Sequence, residues 1–298
     1  MKGRATDPAT DAFVAHRNLL FTVAYEMLGS AADAEDVLQE TWLRWAGVDL
    51  ARVLDHRAYL VRITTRQALN RLRTMKRRKE AYVGPWLPEP LLTTPDVAQD
   101  VDLAESVSMA MMLVLETLSP TERAVFVLRE VFEVGYDEIA AAVDKSPAAV
   151  RQIAHRAQKH VDSRRPRKMV SPSDARAAVE SFRRVLETGD LQGLLDVLAP
   201  DVVLVGDGGG IRRAALRPTV GADKVARYML GGLRKNRLAM AFSPAAVNGS
   251  PALLVLLDGE IDGVLAIRVE DDRINGLYYV RNPEKLNRVD SETPLAVR

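Results

Sequence analysis

The chain has no cysteine among its 298 residues. That absence excludes disulfide bonds, thiolate metal sites and thiol catalysis, and it is typical of proteins from a reducing cytoplasm. No apolar run approaches the ~20 residues that a membrane-spanning helix needs, and no signal-peptide core follows Lys2 and Arg4. The sequence therefore predicts a cytoplasmic protein without a membrane anchor.

Aromatic residues are also few, at 5%, but 47% hydrophobic and 27% charged residues are normal for a globular protein of two or three domains. The net charge of +1 hides an uneven layout. Residues 56–79 contain no acid, residues 81–121 contain no Lys or Arg, and basic residues return in 145–168. Two basic segments flanking an acidic one favour a polyanionic partner such as nucleic acid.

Residues 10–80 have the periodicity of helices. Ser30 begins a capping box before "AADAEDVLQETWLRW", in which the apolar side is formed by Val37, Leu38, Thr41, Trp42 and Trp45. The other side carries an acidic stripe, made of Asp36, Gln39, Glu40 and Leu43. From the residues alone, a solvated surface is the simpler interpretation of this stripe.

The next helix, "RAYLVRITTRQALNRLR", is basic. Five of its residues share one side at 3.6 residues per turn: Tyr59, Arg62, Arg66, Asn70 and Arg73. Cations can bind phosphate, and an aromatic ring can stack on an unpaired base. This side is predicted to bind nucleic acid, and an ordinary basic surface helix is the alternative.

Residues 96–168 are predicted to be helical again and to end in a helix-turn-helix. One helix is "LSPTERAVFVLREVF", capped by Ser119 or Thr121; "GYDEIAAAV" is the second, "DKS" a tight turn and "PAAVRQIAHRAQKHV" the third. Ser146 caps the third helix, and Pro147 suits its first turn. Its expected buried stripe is Val150, Ile153, Ala157 and Val161.

The remaining face of the third helix is small and basic. It consists of Ala148, Arg151, Gln152, His155, Arg156 and Lys159. Small alanines permit close approach to DNA, while Arg151 and Gln152 carry the donors that read guanine and adenine in the major groove. The segment is therefore predicted to bind duplex DNA.

Residues 172–290 change character. Two helices, a strand with a glycine turn ("DVVLVGDGGG") and another helix precede strand-like runs separated by Gly, Asp and Asn turns. This order predicts an α+β domain with antiparallel meanders. The stretch "RRPRKMVSPS", residues 164–173, has the composition of a linker.

Together, these segments resemble a bacterial RNA polymerase sigma factor of the extracytoplasmic-function (ECF) class. "AEDVLQETWLRW" resembles the helix that docks on core polymerase, which implies that role for Asp36, Gln39, Glu40 and Trp42. "AYLVRITTRQALNRLR" is similar to the helix that melts the minus-ten element, with Arg62, Arg66, Asn70 and Arg73 carried over. The helix-turn-helix resembles the region that binds the minus-thirty-five element, although Gln152-Ile153 stands where many members have a serine and a basic residue.

The remainder resembles a SnoaL-like domain of the nuclear-transport-factor-two superfold, as in ECF factors of the SigJ type. Three motifs carry this resemblance: "WLPEP" at 86–90, "DGGG" at 207–210 and "NPEKL" at 282–286. The resemblance implies that this domain regulates the factor in cis, so that no separate anti-sigma protein is expected.

The proline-rich connector after the first basic helix, "AYVGPWLPEP", cannot be helical, and its prolines hold it extended before it meets a partner. We expect it to dock on the last domain. The interdomain contacts are assigned to Trp86, Leu87, Pro88, Glu89, Asp207, Gly208, Gly209, Gly210, Asn282, Pro283, Glu284, Lys285 and Leu286. A Trp packed on its own domain, followed by a flexible tether, is the alternative.

The fold class is therefore multidomain: two all-α polymerase- and DNA-binding domains, followed by an α+β SnoaL-like, cone-shaped domain. The predicted ranges are 8–80 for the region-two domain, 81–107 for an acidic linker, 108–168 for the helix-turn-helix and 172–290 for the SnoaL-like domain. The expected partners are core RNA polymerase and promoter DNA.

Two other functions are open. A ligand-sensing helix-turn-helix regulator with a small-molecule pocket would bind promoter DNA without polymerase. Catalysis by the last domain would need a carboxylate base, and Asp201 and Asp207 are better explained as strand-start and turn residues. We expect no enzyme activity, no cofactor and no metal site, since the four histidines lack partnered spacing; an unidentified small-molecule ligand of the last domain is left open.

Overall fold

The computed structural model describes residues 7–93, 97, 100–164, 170–236 and 240–297. It divides into two compact units. The first unit comprises Met1–Arg78, Val114–Arg165 and Pro294–Arg298, and the second comprises Lys79–Leu113 and Pro166–Thr293. The predicted linker around residues 164–173 lies largely outside the described residues, and the four predicted domain ranges stay predictions.

The amino-terminal part of the first unit is a three-helix module. Its helices are α1 (Pro8–Leu28), α2 (Ala31–Trp45) and α3 (His56–Glu80). Gly29, at φ 68°, ends α1, and the hydroxyl of Ser30 accepts the amide of Asp33 at the start of α2. The indole of buried Trp45 donates to the carbonyl of Ala9, which ties α2 to α1.

A helix-turn-helix completes the first unit. Two short helices, α4 (Val101–Val107) and α5 (Met109–Leu115), precede α6 (Pro120–Phe126), α7 (Tyr136–Val143) and α8 (Pro147–Asp162). Ser119 and Glu122 form a capping box at α6. Asp144, at φ 56°, makes the turn, and Ser146 caps α8 through the amide of Ala149. The predicted helix-turn-helix is present.

Two details differ from the sequence prediction. The helix expected over "LSPTERAVFVLREVF" is α-helical only to Phe126 and then widens into a π-helical turn, Val127–Val131, in which the amide of Phe132 donates to the carbonyl of Val127. In α8, Ile153 is only half-buried, and Ala154 joins Val150, Ala157 and Val161 in the core. The smaller side chain lies at the closest packing point of the two helices.

The second unit contains a six-stranded sheet in the order β2-β1-β6-β5-β4-β3. The strands are β1 (Leu198–Asp207), β2 (Thr219–Val220), β3 (Met240–Val247), β4 (Ser250–Leu257), β5 (Glu260–Glu270) and β6 (Arg273–Val280). β3 to β6 form the predicted antiparallel meander, whereas β1 pairs with β6 in parallel. Left-handed residues at 248–249, 258–259 and 271–272 allow the tight hairpins.

Helices α9 (Pro172–Thr188), α10 (Leu191–Val197) and α11 (Ala222–Asn236) pack on this sheet. Phe182, Leu194 and Leu277 lie at the centre of its apolar core. Helical modules followed by an α+β domain are the fold class that the sequence predicted.

Candidate functional sites

The acidic stripe lies on the outer face of α2. Asp36, Gln39 and Glu40 are exposed, and Leu43 keeps 74% of its surface exposed. Trp42 is half-buried, with its ring 5.3 Å from that of Phe13. The stripe thus offers carboxylates beside an exposed leucine, a combination that suits a protein partner.

Part of the negative charge on this face is compensated. A guanidinium nitrogen of Arg71 lies 2.8 Å from a carboxylate oxygen of Asp36, and the Nε of Arg71 donates to Asp33 at 2.6 Å. Arg71 therefore braces the start of α2 against α3 and fixes where the Asp36 carboxylate points.

The basic side of α3 is accessible for most of its length. Arg66, Asn70 and Arg73 are exposed, whereas Tyr59 and Arg62 are half-buried. The guanidinium of Arg62 lies 4.6 Å from the Tyr59 ring centroid, and the Trp45 ring lies 5.8 Å from it. Tyr59 is therefore already held between two neighbours, while the other residues present donors to solvent.

The predicted recognition face of α8 is open. Ala148, Arg151, Gln152, His155, Arg156 and Lys159 are all exposed. The guanidinium of Arg151 lies 5.5 Å from the ring centroid of Tyr136, and that of Arg129 lies 4.7 Å from the same ring. Tyr136, which the sequence reasoning did not single out, therefore limits the conformations that Arg151 can adopt.

In the second unit, the proline-rich connector contacts a buried carboxylate. Asp207, with no exposed surface, accepts the Tyr82 hydroxyl at 2.5 Å, the amide of Leu87 at 2.8 Å and the amide of Gly209 at 3.1 Å. The Nζ of Lys285 lies 2.8 Å from the same carboxylate. These contacts join the three motifs in one cluster, the Asp207 cluster (Tyr82, Trp86, Leu87, Asp207, Lys285).

Lys285 also contacts the connector directly. Its ammonium donates to the carbonyl of Leu87 at 2.6 Å and lies 3.4 Å from the Trp86 ring centroid and 4.8 Å from that of Tyr82. Burial lowers the pKa of Lys285 to about 8, against the opposing effect of Asp207. A nearly buried cation is thus held by one carboxylate, one carbonyl and two aromatic faces.

The glycine turn allows this approach. Gly209 and Gly210 have φ of 61° and 74°, and a Cβ on Gly209 would collide with the side chain of Asn282. Asn282 is buried and donates to the Tyr82 hydroxyl at 2.7 Å. Burial and the hydrogen bond to Asp207 raise the pKa of Tyr82, so this hydroxyl stays protonated as the donor.

A second anchoring point lies further along the connector. The buried side chain of Asn248, in the β3–β4 turn, accepts the amide of Leu91 at 3.0 Å and donates to the carbonyl of Val107 at 2.8 Å. The amide of Thr93 donates to Ala246 at 3.0 Å, so the connector pairs with the edge strand β3. The segment 81–93 is therefore fixed to the sheet at both ends.

The other residues assigned to this contact have varied positions. Pro88 is buried, Glu89 and Leu286 are half-buried, and Pro283 and Glu284 are exposed in a 3-10 turn. Gly208 and Gly210 shape the turn, where a Cβ on Gly210 would approach Val83. The sequence reasoning missed Tyr82 and Asn248 as contact residues, although both lie in segments that it singled out.

A cavity of about 530 Å³ lies between α11 and the sheet. Its lining is mainly apolar and includes Met229, Phe242 and Leu265, with Tyr279 and Arg281 on one side. The guanidinium of Arg281 is paired with Asp262 at 2.8 Å, and the Tyr279 hydroxyl donates to the same carboxylate at 3.1 Å. The volume is large enough for a small molecule, and a ligand of this domain stays a prediction.

Two family models match the helical modules: "Sigma-70 region 2" over residues 12–78 and "Sigma-70, region 4" over residues 108–161. The ECF RNA polymerase sigma factor SigJ of Mycobacterium tuberculosis is 36% identical over 294 residues, covering 92% of this chain and 91% of SigJ. The chain belongs to the ECF sigma factors. Core RNA polymerase and promoter DNA are the partners that this family implies.

Two further relatives extend the similarity over the second unit. The probable ECF sigma factor SigI of M. tuberculosis is 31% identical over 289 residues, covering 96% of this chain and 97% of SigI. The crystal structure of M. tuberculosis SigJ matches with a TM-score of 0.76 and 34% identity, covering 96% of this chain and all of that one. This ECF factor therefore shares its α+β domain, and not only its helical modules, with SigJ.

Sigma factors of this family are initiation factors, and none of the comparisons indicates catalytic activity for this chain. In the part of the chain that the structure describes, no helix combines the length and apolar character needed to span a bilayer.

Proposed function

We propose that this ECF factor binds core RNA polymerase through the acidic stripe of α2 and directs transcription from promoters that α3 and α8 recognise together. The observation that carries the proposal is the pair of exposed basic helices in one sigma-family unit. Exposed α8 residues are placed to read duplex DNA at the minus-thirty-five element, and the basic side of α3 to hold opened strand at the minus-ten element. Such a factor acts in the cytoplasm.

Regulation in cis is the second part of the proposal. The connector that leads from α3 towards the helix-turn-helix is anchored on the last domain by the Asp207 cluster and by Asn248. A docked connector has a shorter free length than an extended one, so docking sets how far the two promoter-binding modules can separate. The last domain thereby does the work of a separate anti-sigma protein.

Run-off transcription with purified bacterial core polymerase tests the first part. Templates from a library of randomised promoters are transcribed with the full chain and with a chain that ends at residue 168, and the transcripts are sequenced. We expect promoter-dependent transcripts from both chains, with a different yield when the last domain is absent. A lack of such transcripts from both would refute the proposed function.

Trp86→Ala tests the regulatory part, because the Trp86 ring packs on Lys285 of the last domain. Losing a buried aromatic contact of this kind costs about 3–5 kcal/mol and should release the connector. We expect the transcript yield of the full chain to change several-fold, and that of the chain ending at residue 168 to stay the same. Equal effects in both backgrounds would show that Trp86 acts within the helical modules instead.

A ligand-sensing regulator is the rival function, favoured only by the 530 Å³ cavity. Such a protein would bind promoter duplexes tightly in the absence of polymerase, which a gel-shift series with and without core enzyme would show. The acidic stripe of α2 has no role in that scheme.

A further inference from the structure

The carboxyl-terminal half of α1 is enclosed on every side. All residues from 19 to 28 are buried, polar Thr22 and Glu26 included. A helix that ends a small module normally keeps one polar face in water. Other segments of the same chain must therefore cover this part of α1.

Two of the covering segments make hydrogen bonds one helical turn apart. The amide of Ala296, in the tail segment (residues 294–297), donates to the hydroxyl of Thr22 at 3.0 Å, and that hydroxyl donates to the carbonyl of Asn18 at 2.8 Å. The Nε of Arg123, from α6, donates to the carbonyl of Glu26 at 2.8 Å. The tail segment and the helix-turn-helix thus share one docking surface on α1.

Both segments are buried at this surface. Arg123 keeps only 2% of its side chain exposed and is paired with Glu116 at 2.6 Å, and Leu295 is 7% exposed. Burying a leucine and a paired arginine takes them out of solvent, so these contacts stabilise the arrangement to a degree that point substitutions can measure.

This arrangement also occupies a promoter-binding residue. The guanidinium of Arg66, on the basic side of α3, donates to the carbonyl of Ala141 in α7 at 2.8 Å. Elements centred near minus ten and minus thirty-five are ~25 base pairs apart, or ~85 Å at 3.4 Å per pair. Modules held in direct contact cannot engage both elements at once.

We propose that the tail segment is an intramolecular ligand of α1, and that it holds the helix-turn-helix against the region-two module in a closed form that must open on promoter binding. The inhibitory consequence rests on the proposed function; the docking itself does not. Residue 293, directly before the tail, donates its amide to the carbonyl of Leu92 in the connector at 2.7 Å. The docked connector and the tail are therefore linked through consecutive residues.

Spin-label distance measurements on the full chain test this docking without polymerase or DNA. The absence of native cysteine permits a label pair at Leu54→Cys and Lys145→Cys, two exposed positions in the first unit. We expect one narrow distance distribution for the parent chain. In Leu295→Ser, a longer-distance population should grow relative to the short one by about tenfold, the ratio expected for ~1.4 kcal/mol of lost burial.

Pro294→Ser is the matched control, because Pro294 is exposed beside buried Leu295 and should leave the distribution unchanged. A chain ending at Thr293 is the second variant, and it should reproduce the effect of Leu295→Ser if that substitution perturbs folding. An unchanged narrow distribution in the shortened chain, or a broad one in the parent chain, would overturn the proposal. A failed transcription assay with the expected distances would remove only the sigma role.

Discussion

Asp207→Asn is expected to lower the free energy of unfolding of the second unit by about 3–5 kcal/mol. Asp207 has no exposed surface, and its carboxylate is the countercharge of the almost fully buried Lys285. The asparagine keeps the volume but removes the negative charge. It thereby leaves a buried ammonium without a countercharge, which costs more than the loss of one hydrogen bond.

Hydrogen–deuterium exchange of peptides from β1 and β6 measures this effect, because both strands belong to the second unit. The same experiment reports on the connector, since the amide of Leu87 donates to Asp207. We expect that amide to lose protection before the strands do, as the connector is held by fewer contacts than the sheet.

Two further variants separate charge from packing. Asp207→Asn combined with Lys285→Met removes both charges and should recover part of the loss, as replacement of a buried pair often does. Asp223→Asn breaks an exposed pair with Arg227, whose side chains are 59% and 72% exposed, and should change the free energy of unfolding by less than about 1 kcal/mol. If Asp207→Asn costs no more than Asp223→Asn, the buried pair does not stabilise this unit.

The sequence predicted the elements that depend on local signals. The Ser30 and Ser146 caps, the Asp144 turn and the meander hairpins follow from residue preferences a few positions apart. Proline-enforced extension near Trp86, together with three known motifs, also indicated the docked connector. These features need no knowledge of distant parts of the chain.

Contacts between distant residues could not be predicted in this way. Tyr82 and Asp207 are 125 residues apart in the chain, and Leu91 and Asn248 are 157 apart. Asn248 has the appearance of a simple turn residue, and its side-chain bonds to the connector leave no periodic trace. The tail segment carries no motif at all, and only its burial and its bond to Thr22 distinguish it.

The position of Lys285 shows why composition alone was also insufficient. A lysine in "NPEKL" has no local reason to be buried, and lysines rarely are. Only the meeting of one carboxylate and two aromatic rings, from three separate segments, makes that burial tolerable. The cluster is thus a property of the docked state, and undocking would return the ammonium to water.

Arg151→Ala is expected to weaken promoter binding by the polymerase holoenzyme about 10- to 100-fold, corresponding to ~1–3 kcal/mol for a lost base contact. Arg151 lies in the second turn of α8, where recognition helices contact base edges, and its side chain is exposed. The nearby Tyr136 ring, 5.5 Å away, restrains the guanidinium and should make its contact selective for one base pair.

Selection from a randomised promoter library by the holoenzyme measures both affinity and base preference. With Arg151→Ala, we expect the preference at one minus-thirty-five base pair to disappear while the others remain. Lys159→Ala, near the end of the same helix, should weaken binding to all sequences alike and reduce the salt dependence, as loss of a phosphate contact does.

Arg176→Ala is the control outside this face, because Arg176 is an exposed residue of α9 in the other unit and should leave selection unchanged. Retention of every base preference by Arg151→Ala would show that α8 does not read the minus-thirty-five element through this residue. An identical loss of preference with Lys159→Ala would instead indicate that the whole helix contributes non-specifically. The two outcomes distinguish base readout from simple attraction to phosphate, which exposed basic residues alone cannot do.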